Sequence, residues 1–123
     1  MGDQILSVMT SWAASNPAFK LMLLLIGFDF LTGTLKAIKD GHLNSSVARD
    51  GLIKKFAECI APLFGKALDP FAGGVPISEI IALSVVYAEG LSIIENLGLL
   101  GVPIPDAVRD ALAKLPTAGR GKT

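Results

Sequence analysis

The chain has 123 residues, half of them hydrophobic, with eleven Lys and Arg against eleven Asp and Glu. That is one domain's worth of sequence. The zero net charge excludes the basic surface that nucleic-acid binding needs, and the apolar content excludes disorder. A single cysteine, Cys59, and a single histidine, His42, exclude an intramolecular disulfide framework and a His-His or Cys-rich metal site.

Residues 1–17 read as a weakly amphipathic helix stopped at Asn16-Pro17, with Ile5, Leu6, Val8, Met9 and Trp12 on one side. Trp12 suits a membrane interface, where an amphipathic ring sits at headgroup level. Asp3 and the lack of Lys or Arg before Lys20 do not fit a secretory leader.

The first long apolar segment runs from Ala18 to Ile38 and holds eleven Leu, Ile or Phe residues. On an insertion scale these supply about −3 to −7 kcal/mol. Asp29, near the midpoint, costs about 2.5 to 3.5 kcal/mol, while Lys20 and Lys36 can snorkel from the ends. A polar linker follows, with a turn at Asp40-Gly41 and a helix start expected at Asn44-Ser45-Ser46.

A second segment, Leu52 to Phe71, holds eight Leu, Ile or Phe residues against Lys54, Lys55, Glu58, Lys66 and Asp69. Alone it inserts poorly, so it either crosses with help or lies in the interface. Ala57, Ala61 and Gly65 recur every four residues, a small-residue face for close helix packing. A Gly- and Pro-rich turn leads to a third segment, Ile77 to Leu99, with eleven Ile, Leu or Val residues and Glu89 near its centre. At 100° per residue Ser78, Val85, Glu89, Ser92 and Asn96 share one side, and Glu79 and Glu95 lie toward the ends. Asp106 to Leu115 reads as a short amphipathic helix, and residues 116–123 as a basic tail.

Basic residues cluster around the first linker (Lys36, Lys39, Arg49, Lys54, Lys55) and in the C-terminal region (Arg109, Lys114, Arg120, Lys122). Three crossings put both groups on one side. The positive-inside rule then places the N-terminus outside and the C-terminus in the cytoplasm, with Lys54 and Lys55 as cytoplasmic basic anchors. The expected fold is all-α: a small integral membrane protein with about three hydrophobic helices, an N-terminal interfacial helix and a short amphipathic C-terminal helix. It divides into segment 1–17, a helical membrane domain 18–115 and the tail 116–123.

No catalytic constellation is visible. Gly121-Lys122-Thr123 lacks the glycine and following helix of a phosphate-binding loop, and Asn44-Ser45-Ser46 is a chance-level glycosylation match. His42 reads as solvated and Cys59 as a small packing residue. No catalytic residue, cofactor or metal is expected. The informative residues are the charges inside apolar segments, which must pair, face water or neutralise. Asp29, Gly33 and Lys36 share a helical face, and Lys54 and Lys55 are candidate partners of Asp29. Either the charges close within one three-helix unit, or several copies turn Asp29, Gly33, Lys36, Glu89, Ser92, Glu95 and Asn96 toward each other or toward a wet lumen.

Three blocks resemble the toxin-secretion/phage-lysis holins of Gram-positive phages and related elements. The first, Phe28-Asp29-Phe30-Leu31-Thr32-Gly33-Thr34-Leu35-Lys36-Ala37, is similar to that family's aspartate, Thr-Gly and Lys-Ala pattern. The second is Leu43-Asn44-Ser45-Ser46 continuing to Gly51-Leu52-Ile53-Lys54-Lys55. The third is Tyr87-Ala88-Glu89-Gly90-Leu91-Ser92-Ile93-Ile94-Glu95-Asn96, leading into Gly101-Val102-Pro103-Ile104-Pro105. The blocks occur in the family's order and cover roughly residues 25–115; between Phe56 and Ile77 only hydrophobicity matches.

The resemblance implies a homo-oligomer of the bacterial cytoplasmic membrane that accumulates and then permeabilises it. Its partners would be the bilayer and further copies of itself, with a functional rather than direct relation to an endolysin or toxin. Collapse of the membrane potential could then redistribute the intramembrane charges. The alternatives left by the residues are a small homo-oligomeric ion channel or transporter subunit without lytic role, and a soluble helical interaction protein.

Overall fold

A computed structural model describes residues 1–115. The expected basic tail 116–123, including the Pro116 stop, Arg120 and Gly121-Lys122-Thr123, lies outside the described residues. Five α-helices follow one another: α1 (Gly2–Ser15), α2 (Pro17–Asp40), α3 (Ser45–Leu68), α4 (Ile77–Leu99) and α5 (Asp106–Ala113). A single 3-10 turn, Asp69–Phe71, leads from α3 toward α4.

The helix boundaries follow from local chemistry. Asn16 Oδ1 accepts the Phe19 amide at 2.9 Å, and Pro17, which has no amide to satisfy, occupies the first turn of α2. Gly41, at φ 71°, ends α2 in a left-handed turn. There the Gly41 amide reaches the Ile38 carbonyl and the His42 amide reaches the Ala37 carbonyl, the paired bonds of a Schellman cap. Asn44 caps α3 through the Ser46 and Val47 amides. This cap starts α3 at Ser45, seven residues before the apolar pattern at Leu52, so the helix carries a polar first turn that hydrophobicity alone does not reveal.

The α3–α4 turn is pinned by Asp69. Its Oδ1 accepts the Ser78 amide at 3.1 Å and its Oδ2 accepts the Ser78 hydroxyl at 2.6 Å. The preceding Pro76 offers α4 no side-chain cap, so this carboxylate serves as one from a distance. Burial works to raise the Asp69 carboxyl, but the Ser78 hydrogen bonds and the Lys66 ammonium 3.8 Å away outweigh it and hold the group below its ordinary value.

α4 is the hub. It runs parallel to α2, so that Lys39 near the C-terminus of α2 donates to the Leu99 carbonyl at the C-terminus of α4, at 2.8 Å. α3 runs antiparallel to α4, bringing Gly65 against Ser78. The buried apolar core lies between α2 and α4: Ala18, Phe19, Met22 and Ile26 from one, Ala82 and Val86 from the other. α1 folds over the end of this pair, where the Trp12 ring meets Phe19 at 5.2 Å and the Lys66 ammonium stands 5.9 Å from the indole. α5 turns back along α4.

Only two of these helices, α2 and α4, are long and apolar enough to cross a membrane, correcting the expectation of about three hydrophobic helices. The physical reason is the charge carried by α3: Arg49, Asp50, Lys54, Lys55, Glu58 and Lys66 all fall within it. α2 and α4 are 24 and 23 residues long, or about 35 Å at 1.5 Å per residue, enough for a hydrocarbon core of about 30 Å. Their outer surface agrees. On α2, Leu24, Phe28, Leu31, Leu35 and Ile38 form a stripe whose members are all 46% or more exposed. Phe56, Ile60 and Phe64 extend the apolar surface on α3. A continuous apolar surface of this kind marks contact with lipid or with another protein.

Two outcomes test this packing. An added Cβ at Gly65 would lie 2.9 Å from the Ser78 backbone, whereas at Gly90 the nearest obstacle is the movable tip of Leu112. Gly65→Ala should therefore lower stability by about 1–3 kcal/mol and Gly90→Ala by less, read from thermal unfolding in micelles by circular dichroism. Asp69→Ala should cost about 1 kcal/mol at neutral pH. Because the native carboxyl sits below its unfolded value, its contribution is present above about pH 4 and is lost as the pH falls through the native value. The gap between wild type and variant should close on acidification.

Candidate functional site: an ion cluster at the centre of the bundle

Asp29 and Glu89 each lie near the midpoint of their helix, and the parallel register of α2 and α4 sets them at one level. α3 brings Lys55 between them. Its ammonium donates to Asp29 Oδ2 at 2.8 Å and to Glu89 Oε2 at 3.0 Å. The side chains of Lys55, Asp29 and Glu89 are only 15%, 14% and 3% exposed. Asn96, itself buried, donates its amide to Asp29 Oδ1 at 3.2 Å and to the Thr32 hydroxyl at 3.1 Å. The Thr32 hydroxyl in turn donates a hydrogen bond to the Phe28 carbonyl at 2.9 Å. Each charged group thus finds partners on at least one other helix, as a low-dielectric surrounding demands.

Glu58, one turn beyond Lys55 on α3, also faces Glu89. Its Oε1 is buried and has no hydrogen-bond partner. The Lys55 ammonium thus bonds two carboxyls, and Glu58 adds a third beside Glu89. Removing the ammonium leaves them mutually repulsive with no counter-charge, so Lys55 is the group the cluster can least lose.

The structure brings together some of the residues expected from sequence and not others. Asp29, Glu89 and Asn96 meet in the cluster. Gly33 lies beside it, with the Asn96 amide 3.6 Å from where a Cβ would stand, an ordinary contact distance. Ser92 lines a cleft of about 270 Å³ between α2 and α3 that reaches from His42 and Asn44 to Asp29 and Lys55. Lys36 is half-buried outside the cluster, and Glu95 and Lys54 are exposed. On the small-residue face of α3, Gly65 is buried against Ser78, Ala61 is half-buried and Ala57 is exposed, so close approach is confined to its C-terminal end. Sequence reasoning had paired Asp29 with Lys54 or Lys55 but found no partner for Glu89 and assigned no role to Glu58 or Thr32. The signal for Glu58 was its three-residue spacing from Lys55, which puts both on one helical face. Among the described residues no three His, Cys, Asp or Glu side chains are placed to hold a metal ion.

The cluster makes a sharp expectation. Lys55→Met should destabilise the bundle by about 3–5 kcal/mol, because it strands buried carboxylates. The triple change Asp29→Asn, Lys55→Met, Glu89→Gln should recover most of that loss, since it removes the charges together. Thermal unfolding of the two variants in micelles compares them directly.

Residues 7–117 match the family model described as the bacteriophage holin family. The chain is 30% identical over 129 residues to a protein named holin-like protein TcdE of Clostridioides difficile, covering 90% of this chain and 78% of that one. It is 34% identical over 105 residues to a probable holin of Bacillus phage phi105, covering 84% and 77%. An uncharacterized protein of Clostridium perfringens is 33% identical over 119 residues, covering 94% and 88%. No solved structure gives a significant match. With a family match across nearly the whole described chain, two apolar helices of spanning length and a charge cluster closed between them, this non-enzymatic membrane protein belongs to the bacteriophage holin family.

Proposed function

We propose that the protein is a pore-forming holin whose unit is an up-down-up bundle of α2, α3 and α4, and that copies of it assemble in the cytoplasmic membrane and permeabilise it. The observation that carries this reading is the parallel arrangement of α2 and α4. Two parallel spans that follow one another in a chain require the segment between them to return through the bilayer. α3 is that segment. It is too charged to insert by itself, but Lys55 finds its counter-charges on α2 and α4 and its apolar side chains face outward. The charges that penalise α3 in lipid are in this way the groups that tie it to its neighbours.

This arrangement puts the α2–α3 linker and the C-terminal end of α4 on one side. Lys36, Lys39 and Arg49 lie toward that side, against Lys20 and Lys66 near the other end. The positive-inside rule then places the linker and C-terminal region in the cytoplasm and α1 outside, with Trp12 near the outer interface. Permeabilisation would release a muralytic enzyme from a phage-infected cell, or a toxin where the gene serves a toxin locus. The relatives named as a holin and a holin-like protein support the first step, membrane permeabilisation.

Inducible expression in a bacterium tests this. Growth should stop abruptly and a folded cytoplasmic reporter should appear in the medium. Loss of potassium without loss of the reporter would instead indicate a small ion channel, and retention of both would overturn the reading. Asp29→Asn and Glu89→Gln should each shift the onset of permeabilisation while leaving the protein in the membrane fraction; unchanged onset in both removes the cluster from the mechanism.

A further inference from the structure

The helix α5 sits in an unexpected place. After Pro105 the chain doubles back, and Leu112 reaches Gly90, next to Glu89 at the centre of α4. Contact is so close that a Cβ on Gly90 would lie 2.9 Å from a Leu112 methyl group. Leu115 continues onto the core formed by α2 and α4. Gly90 lies nine residues before Leu99, about 14 Å along the axis at 1.5 Å per residue, so α5 reaches roughly mid-depth of a 30 Å hydrocarbon layer.

Its two faces differ. Leu112 and Leu115 pack inward, while Arg109, Asp110 and Lys114 are all exposed. Among the described residues neither Arg109 nor Lys114 takes part in a salt bridge; the ion pairs there lie on α2, α3 and α4 and in the α3–α4 turn. A charged face at this depth is strongly disfavoured against acyl chains. The outer faces of α2 and α3, in contrast, present Leu, Ile and Phe. At this depth the unit is apolar over α2, mostly apolar over α3, where Lys54 is exposed, and charged over α5.

We infer that the exposed face of α5, with Arg109, Asp110 and Lys114, lines the aqueous lumen of the assembled lesion, while α2 and α3 carry the lipid- and neighbour-facing surface. This rests on the pore-forming reading above and adds which surface meets the permeating solution. Glu89 and Asp29, closed inward on Lys55, hold the unit together behind that wall and do not touch the solution.

The test uses full-length protein reconstituted in vesicles holding a trapped dye, in a Cys59→Ser background that removes the only cysteine. Single cysteines replace Ala107 or Ala111, both exposed on α5, or Leu31 on the outer face of α2, and each carries a small fluorophore. Iodide, present inside and outside, should quench the Ala107 and Ala111 labels several-fold more than the Leu31 label. Acyl-chain nitroxide lipids should quench Leu31, and neither these nor headgroup-labelled lipids should change the α5 labels. Quenching of α5 by the headgroup nitroxide would place it on the membrane surface, and quenching by the acyl-chain nitroxide with protection from iodide would place it against lipid. Either result overturns the inference while dye release still proceeds. Vesicles that keep their dye would sink the pore-forming reading itself, and the lumen assignment with it.

Discussion

An ionised side chain in a hydrocarbon surrounding must have its counter-charge in place, and this requirement organises the protein. Asp29 and Glu89 are set into the two most apolar helices, and neither helix can supply a cation at that level. α3 supplies it. The Lys55 bridge, at 2.8 and 3.0 Å to its two carboxyls, ties α3, long enough but too charged to count as a span, to the two apolar helices. It also explains the sparse direct packing between α2 and α3: the two helices communicate chiefly through α4 and through one ammonium group.

The same requirement divides labour among the helices. α4 buries the most, because it touches α2, α3 and α5 at once. Its buried residues divide among these neighbours: Ala82 and Val86 face α2, Ser78 meets Gly65 of α3, Glu89 bonds Lys55 and Gly90 meets Leu112 of α5. α2 buries a short apolar segment at its N-terminal end, and its remaining length turns Leu and Phe outward. α1 adds little to the core; it closes the end of the bundle through Trp12 and Phe19. Small residues mark where backbones or side chains come closest, at Gly65 against Ser78 and at Gly90 against Leu112.

Much of this was legible in the residues, and the illegible part has definite causes. The apolar stretches of α2 and α4, their stops at Gly41 and after Leu99, and the start of α3 at Asn44 are local signals, readable from hydropathy and capping chemistry. The family blocks around Asp29, the linker and Glu89 carried the membership. The number of apolar helices was overestimated because α3 has enough Leu, Ile and Phe to look like a weak span when its charges are discounted. The partner of Glu89 was invisible because it is set by the antiparallel register of α3 on α4, a tertiary property. Glu58 was read only as a cost to insertion, although its spacing from Lys55 places it on the same face. The return of α5 to the middle of α4 has no local signature either, since an amphipathic octet reads the same on a membrane surface as against a neighbouring helix.

The parallel pairing of α2 with α4 is between helices that are not consecutive, and this has a bearing on biogenesis. Asp29 leaves the ribosome well before its partners: the Lys55 counter-charge follows 26 positions later and the Asn96 hydrogen bond 67 positions later. The Asp29 carboxyl is thus without its partners when α2 is first made, and gains them in two instalments as the rest of the chain is delivered. A chain built this way is complete only once α3 and α4 have docked, at a pace set by translation.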